Sequence, residues 1–351
     1  MSIFIGDKEI GSDFAPFIIA EMSGNHNQSL ERAIRIVDAI ADSGAHALKL
    51  QTYTADTMTL NLDKGEFFID NPSSPWHGNS LYDLYQMAHT PWEWHEAIFS
   101  HAKKRGLIAF STPFDASAVD FLEELDVPAY KVASFENTDL ELIKKVANTG
   151  KPMIISTGMA SVAEVDEAVQ AARGAGCENL ILLKCTSNYP ASPSASNLLT
   201  IPHMKALFGC EVGLSDHTLG IGAAVASVAL GASVIEKHVT LSRDEGGVDA
   251  AFSLEPHELK QLVQETKTAW ESLGKVQLGP TDEEVGSRVF RRTLYVCKDL
   301  KKGDILTSEA VRAIRPGFGL PVKYLDRVLG KKVVMDVSRG TRVDWDLISQ
   351  A

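Results

Sequence analysis

Eight times between Phe17 and His238, a short apolar, often β-branched run stops at a polar residue. The runs are Phe17–Glu21, Ala47–Gln51, Ile108–Thr112, Tyr130–Ser134, Met153–Ser156, Leu180–Cys185, Val212–Ser215 and Val234–His238. Most are separated by stretches of helical periodicity, such as Leu30 to Ser43 and Val162 to Ala175, each followed by a glycine that can close a helix. Strands alternating with helices over about 250 residues predict an α/β chain built on a TIM (β/α)8 barrel. A doubly wound open sheet competes, but its Gly-rich phosphate loop is missing after the first strand, where Ser23-Gly24-Asn25-His26 stands instead.

The 351 residues exceed what one average domain needs, and the barrel pattern is exhausted before the chain ends. After a helical stretch from Glu255 to Leu273 comes the linker-like Gly279 to Glu284, then short β segments at Leu294–Val296 and Val333–Met335 with a helix start at Thr307-Ser308-Glu309. The expected domains are 1–280 and 281–351, the second too small for a large core and expected to dock on something. A hairpin is expected within residues 1–15, and the excursion from Tyr53 to Thr90 reads as an ordered lid because it carries Trp76, Tyr82 and Tyr85. A net charge of −12 argues against nucleic-acid or anionic-membrane partners. The absence of a leader pattern and of any long apolar run suggests a cytoplasmic protein with reduced, scattered cysteines.

In a barrel of this kind the reacting groups sit at the C-terminal ends of the strands. Here those ends offer Glu21, Lys49, Gln51, Thr112, Lys131, Ser134, Ser156, Ser187, Ser215, His217, Glu236 and His238. Side chains alternate across a strand, so Ser215 with His217, and Glu236 with His238, can face one pocket. A single histidine is more often a hydrogen-bonded core residue, but a pair at neighbouring strand ends suits a catalytic metal with open positions. Two lysines and several hydroxyls on one rim suit a ligand bearing phosphate and carboxylate, although lysines can snorkel and serines can cap helices.

The segments Ile19-Ala20-Glu21, Asn25-His26, Lys49–Tyr53, Tyr130–Ser134, Cys185–Pro190, Gly213–Thr218 and Glu236-Lys237-His238 together resemble the sialic acid synthase family. The tail from Arg292 to Lys332 resembles that family's C-terminal SAF (antifreeze-like) domain, and Pro75–Tyr82 with Thr90–His95 is similar to its pseudaminic acid synthase branch. The resemblance implies condensation of phosphoenolpyruvate with 2,4-diacetamido-2,4,6-trideoxy-L-altrose and water, giving pseudaminic acid and phosphate. N-acetylneuraminate or legionaminate synthesis is the alternative. It also implies a divalent metal (Mn2+, Mg2+ or Co2+) on His217 and His238, and a domain-swapped homodimer. By the same resemblance Lys49, Thr112, Lys131, Ser134, Ser156, Ser187 and Ser215 hold phosphoenolpyruvate. Gln51, Tyr189, Asp249 and, from the other subunit, Arg315 meet the sugar, while Glu21 takes an acid/base or sugar-hydroxyl role. The lid residues Phe67, Phe68, Trp76 and Tyr82 are expected to face the sugar's apolar groups. A Schiff-base aldolase using Lys184 is the rival chemistry. A carbohydrate-binding module resting on the tail would leave the strand ends unexplained.

Overall fold

A computed structural model describes residues 3–72, 74 and 76–349. Ser73 and Pro75, at the middle of the expected lid, lie outside the described residues. The chain divides into two compact units, Met1–Gly274 and Lys275–Ala351.

The first unit opens with an antiparallel hairpin, β1 (Ile3–Ile5) and β2 (Lys8–Ile10). It continues through β3 (Phe17–Glu21), α1 (Leu30–Ser43), β4 (Ala47–Thr52), α2 (Ala55–Met58), α3 (Leu81–Ala88), α4 (His95–Lys104) and β5 (Ile108–Pro113). Next come α5 (Ala116–Glu124), β6 (Tyr130–Val132), α6 (Leu140–Ala147), β7 (Met153–Ser156), α7 (Val162–Gly174) and β8 (Leu180–Cys185). The unit closes with α8 (Thr200–Phe208), β9 (Glu211–Ser215), α9 (Gly222–Ala229), β10 (Val234–His238) and α10 (Pro256–Leu273).

Strands β3 to β10 form a closed barrel in chain order, each parallel to the next, with β10 returning to β3. The TIM barrel is therefore present. Every C-terminal strand end opens at the same mouth, and register brings the polar ends together. His238 lies opposite Glu21, Glu21 opposite Lys49, Gln51 opposite Thr112, and Ser215 opposite both Glu236 and Cys185. Inside the barrel Gly213 has no room for a side chain: a Cβ there would stand 2.2 Å from the Val234 carbonyl oxygen and 2.7 Å from Leu183.

The helices form for local reasons and hold the barrel by packing. In α1 the Ser29 side chain accepts the Arg32 N–H, Ala33, Ile36, Val37 and Ile40 line one buried stripe, and Gly44 ends the helix at φ +83°. Each fully buried isoleucine in that stripe contributes about 1.5–3 kcal/mol.

Some strand ends differ from the sequence reading. β9 stops at Ser215 because the Asp216 carboxylate accepts the Thr218 N–H at 2.9 Å and turns the chain, so His217 sits in the following loop. β6 likewise stops at Val132, before Ser134.

The second unit carries β11 (Thr293–Val296) antiparallel to β12 (Val311–Ile314), a short α11 (Leu325–Val328), and its own small core around Leu294, Val296, Leu306, Val311, Val328 and Val343. The helix expected from Thr307 is one turn, closed by Ala310 and Val311 N–H groups on the Thr307 carbonyl, before the chain joins β12. The residues that follow, Val311–Ile314, pair with β11 instead of continuing the helix, so tertiary pairing overrides the local helix signal. Val333–Met335 makes a single bridge to Ile348 rather than a strand. Among the described residues no helix is long and apolar enough to cross a membrane.

Candidate active site

The barrel mouth holds a cavity of about 330 Å³. Its floor is ionic. Lys49, from β4, pairs with Glu21, stands 3.7 Å from Glu236, and donates to the Thr112 hydroxyl at 3.1 Å. Lys131, from β6, lies 3.5 Å from the other oxygen of Glu236, which also accepts the Ser215 hydroxyl at 3.0 Å. Burial pushes Lys49 down to about 7 against the pull of Glu236. Burial opposes ionisation of Glu236 too, yet Lys131, Lys49 and the Ser215 hydroxyl hold its carboxyl below the ordinary range. Both lysines are thus kept in place by one shared carboxylate, Glu236, at the end of the cavity that an anion would enter.

Hydroxyls line one side. The Ser134 and Ser187 oxygens are 2.8 Å apart, and Gly158, at φ +48°, passes so close that a Cβ would stand 2.4 Å from Ser134. The Ser156 hydroxyl is buried with no hydrogen-bond partner among the described residues. Asn137 supports this rim by donating to the Ser156 and Thr157 carbonyls at 3.1 and 2.9 Å.

Opposite stand the histidines, their ring centroids 5.3 Å apart. The His217 Nδ1 lies 2.9 Å from the Thr186 carbonyl, which can only accept, so that nitrogen donates; burial opposes charging the ring, yet Cys185 and the Thr186 carbonyl raise its pKa above the ordinary value. His238 Nδ1 is buried without a hydrogen bond among the described residues, 3.6 Å from an Asp249 oxygen. Burial, reinforced by the neighbouring imidazole and lysines, holds His238 well below its ordinary pKa, in the neutral form a metal ligand requires. Among the described residues no three His, Cys, Asp or Glu side chains form a metal-holding group. Two neighbouring imidazoles, one with a ring nitrogen unpartnered among the described residues, fit an ion held by two protein ligands, with its other positions left to substrate and water.

Behind the histidines lies an outward-facing staple. Lys237, between Glu236 and His238, donates to the Asp216 carboxylate at 2.9 Å and to the Thr218 and Gly220 carbonyls at 2.6 and 2.9 Å. It ties the loop carrying His217 to the strand carrying His238.

The outer part of the cavity is more apolar. Gln51, Tyr53, Tyr189 and Asp249 line it together with Met58, Ile69, Trp76, Leu81 and Leu84 from the excursion after β4. Trp76 secures that segment by donating its indole N–H to the Val248 carbonyl at 3.0 Å. Of the four aromatics expected to face a sugar, only Trp76 lines the cavity. Tyr82 donates instead to Asp56 at 3.2 Å, because α3 turns Leu81 and Leu84 inward and leaves Tyr82 on the other side. Phe67 and Phe68 are also outside the lining.

The sequence-derived residues Lys49, Gln51, Thr112, Lys131, Ser134, Ser156, Tyr189, Ser215, His217, His238 and Asp249 all line this one cavity. Glu21 lies beneath it, paired to Lys49. Ser187 touches Ser134 but faces an adjoining cleft with Phe135, Asn188 and Pro190. Arg315 directly follows β12 in the second unit. Lys184 is not in the cavity lining; its ammonium donates to the Cys185 carbonyl at 3.0 Å and the Thr186 hydroxyl at 2.7 Å, so the aldolase reading loses its nucleophile.

Several lining residues escaped the sequence reading. Cys185 ends β8, and the strand-end rule that selected Ser156 would have found it. Burial alone would push its thiol up, but His217 and Lys131 bring it below its ordinary value. Glu136, with one buried oxygen unpartnered among the described residues, is pushed up to about 7 by burial. Ser23 and the apolar excursion residues gave no sequence signal.

Comparison with known proteins identifies the family. The NeuB family model matches residues 36–278, and the SAF domain model matches residues 291–349. Pseudaminic acid synthase of Campylobacter jejuni subsp. jejuni serotype O:23/36 is 43% identical over 94% of this chain and 95% of its own length. Its Helicobacter pylori namesake is 40% identical over 96% of this chain and 98% of its own. The crystal structure of N-acetylneuraminic acid (sialic acid) synthetase from Leptospira borgpetersenii serovar Hardjo-bovis in complex with citrate matches with TM-score 0.73 and 31% identity, over 82% of this chain and 95% of that one. A family model spanning most of the barrel unit, and relatives matched nearly end to end, establish that this chain belongs to the NeuB family.

Proposed function

We propose that the protein condenses phosphoenolpyruvate with 2,4-diacetamido-2,4,6-trideoxy-L-altrose and water to give pseudaminic acid and phosphate. The observation that carries this reading is the division of one cavity into an ionic floor and an apolar outer wall. Lys49 and Lys131, with the Thr112, Ser134, Ser156 and Ser215 hydroxyls, suit the phosphate and carboxylate of phosphoenolpyruvate. Met58, Ile69, Leu81, Leu84 and Trp76 suit a 6-methyl and a second N-acetyl group better than extra hydroxyls. The pseudaminic acid synthases of Campylobacter and Helicobacter support the same branch.

The chain's residues then divide the work. Gln51, Tyr189 and Asp249 orient the sugar so that its aldehyde carbon meets carbon 3 of phosphoenolpyruvate, and the new carbon–carbon bond forms there. A divalent ion on His217 and His238 (Mn2+, Mg2+ or Co2+) would supply electrophilic activation of the aldehyde oxygen. The oxocarbenium left at carbon 2 takes a water, and the resulting tetrahedral centre expels phosphate, whose departing charge Lys49 and Lys131 offset. The excursion held by Trp76 limits water at the outer wall. Arg315 of a second copy completes the sugar site in this reading, and the working form is a homodimer.

Phosphate release from phosphoenolpyruvate, measured with a panel of amino sugars, tests the proposal. The trideoxy diacetamido altrose should be the best substrate and N-acetylmannosamine a poor one. Preference for N-acetylmannosamine would move the protein to the N-acetylneuraminate branch. Borohydride trapping with pyruvate should give no adduct, and trapping would restore the aldolase reading.

A further inference from the structure

Ser23 occupies a backbone conformation that costs a serine more than a glycine. Its φ is +49°, in the left-handed region. It is buried, follows β3 by two residues, and lines the cavity. Its N–H donates to Glu21 at 3.2 Å and its hydroxyl donates to the Asp249 carboxylate. Glycine would adopt this backbone with less strain, so what the serine adds is its hydroxyl.

The partner of that hydroxyl sits in a loop fastened to the same region. Asn25 donates to the Ser253 hydroxyl at 2.8 Å, and Ser253 donates to the Asp249 carbonyl at 2.7 Å. Gly247, at φ +137°, approaches Asn27 and Asn25 so closely that a Cβ would stand 2.8 and 3.1 Å from their side-chain oxygens. These contacts locate the Asp249 backbone. Its side chain is aimed by Ser23 and by a 3.6 Å approach to His238.

We infer that Ser23 is a positioning residue for the sugar half of the reaction, holding the Asp249 carboxylate at the angle from which it meets a hydroxyl or amide of the substrate. The inference rests on the amino-sugar reading above. Ser23 acts through Asp249, so its effect falls on the sugar and leaves phosphoenolpyruvate alone.

Ser23→Gly and Ser23→Ala test this against the parent protein and Asp249→Asn. Both Ser23 variants should lose about 10- to 100-fold in kcat/KM for the sugar, the range expected for one hydrogen bond to a charged group, with the phosphoenolpyruvate KM unchanged. Ser23→Gly should melt no lower than Ser23→Ala, because glycine releases the backbone strain. Combining Ser23→Ala with Asp249→Asn should cost no more than Asp249→Asn alone. Parental sugar kinetics in either Ser23 variant, or losses that multiply in the double variant, would overturn the role. A parent protein that turns over none of the amino sugars would instead remove the reading beneath it, and the inference with it.

Discussion

Replacing Lys237 by Met separates the architecture of the histidine pair from its chemistry, because this lysine faces away from the cavity. Its ammonium is fully buried against an Asp216 carboxylate that is 2% exposed, and it satisfies two carbonyl oxygens as well. Methionine keeps the stem and removes the charge. Asp216 is then a buried carboxylate without its counter-ion, a defect worth about 3–5 kcal/mol. The stranded carbonyls at Thr218 and Gly220 are part of that figure rather than an addition, since water can reach the half-buried end of the site. Against a typical stability of about 5–15 kcal/mol this is a large fraction. Urea unfolding followed by tryptophan fluorescence would read it, as Trp76, Trp92, Trp94 and Trp270 all lie in the first unit. Below the transition the folded variant should still lose turnover, because the loop carrying His217 is no longer tied to the strand carrying His238. Adding Asp216→Asn should recover part of the lost stability by removing the uncompensated charge. A Lys237→Met protein within about 1 kcal/mol of the parent, or a double variant no more stable than the single, would refute the staple argument.

His217→Ala or His238→Ala should abolish turnover without unfolding the barrel, and extensive chelation should do the same reversibly; full activity after chelation would exclude the two-histidine metal role. Lys49→Met and Lys131→Met each delete a charge-assisted contact worth about 1.5–3 kcal/mol, so the KM for phosphoenolpyruvate should rise roughly 10- to 100-fold. A change confined to the sugar's KM would show that these lysines serve the other substrate. Burial pushes the Glu136 carboxyl up to about 7, above the ordinary glutamate range, so the unfolded chain loses its proton first. Its contribution is fully present below about pH 4.5 and is lost as pH rises through about 7, on the order of 3 kcal/mol in all. Glu136→Gln should therefore be more stable than the parent at pH 8.5 and lose most of that advantage by pH 4; an advantage independent of pH would contradict the shifted carboxyl.

The barrel and much of its site were legible because both depend on short-range periodicity. Runs such as Met153–Ser156 and Val234–His238 declare strands by composition, and a period of two already puts Glu236 and His238 on one face. Parallel strands in chain order then bring their ends to one mouth. That is why Lys49, Lys131, His217 and His238 could be grouped before any contact was known. In the tail the same reasoning failed at Thr307, where a real one-turn signal was overridden by pairing between β11 and β12.

What the sequence determined by itself was the alternation of elements and the inward or outward sense of each strand residue. Only the tertiary structure decided which distant segments complete the cavity. Met58, Ile69, Leu81 and Leu84 form a wall because the excursion folds back across the mouth, while Tyr82 in the same stretch turns toward Asp56. Ser23 meets Asp249 across 226 positions of chain, and Lys237 reaches Asp216 across 21. Periodicity is a local property of a few dihedral angles, whereas these contacts depend on where the closed barrel returns the chain in space, and no local pattern carries that information.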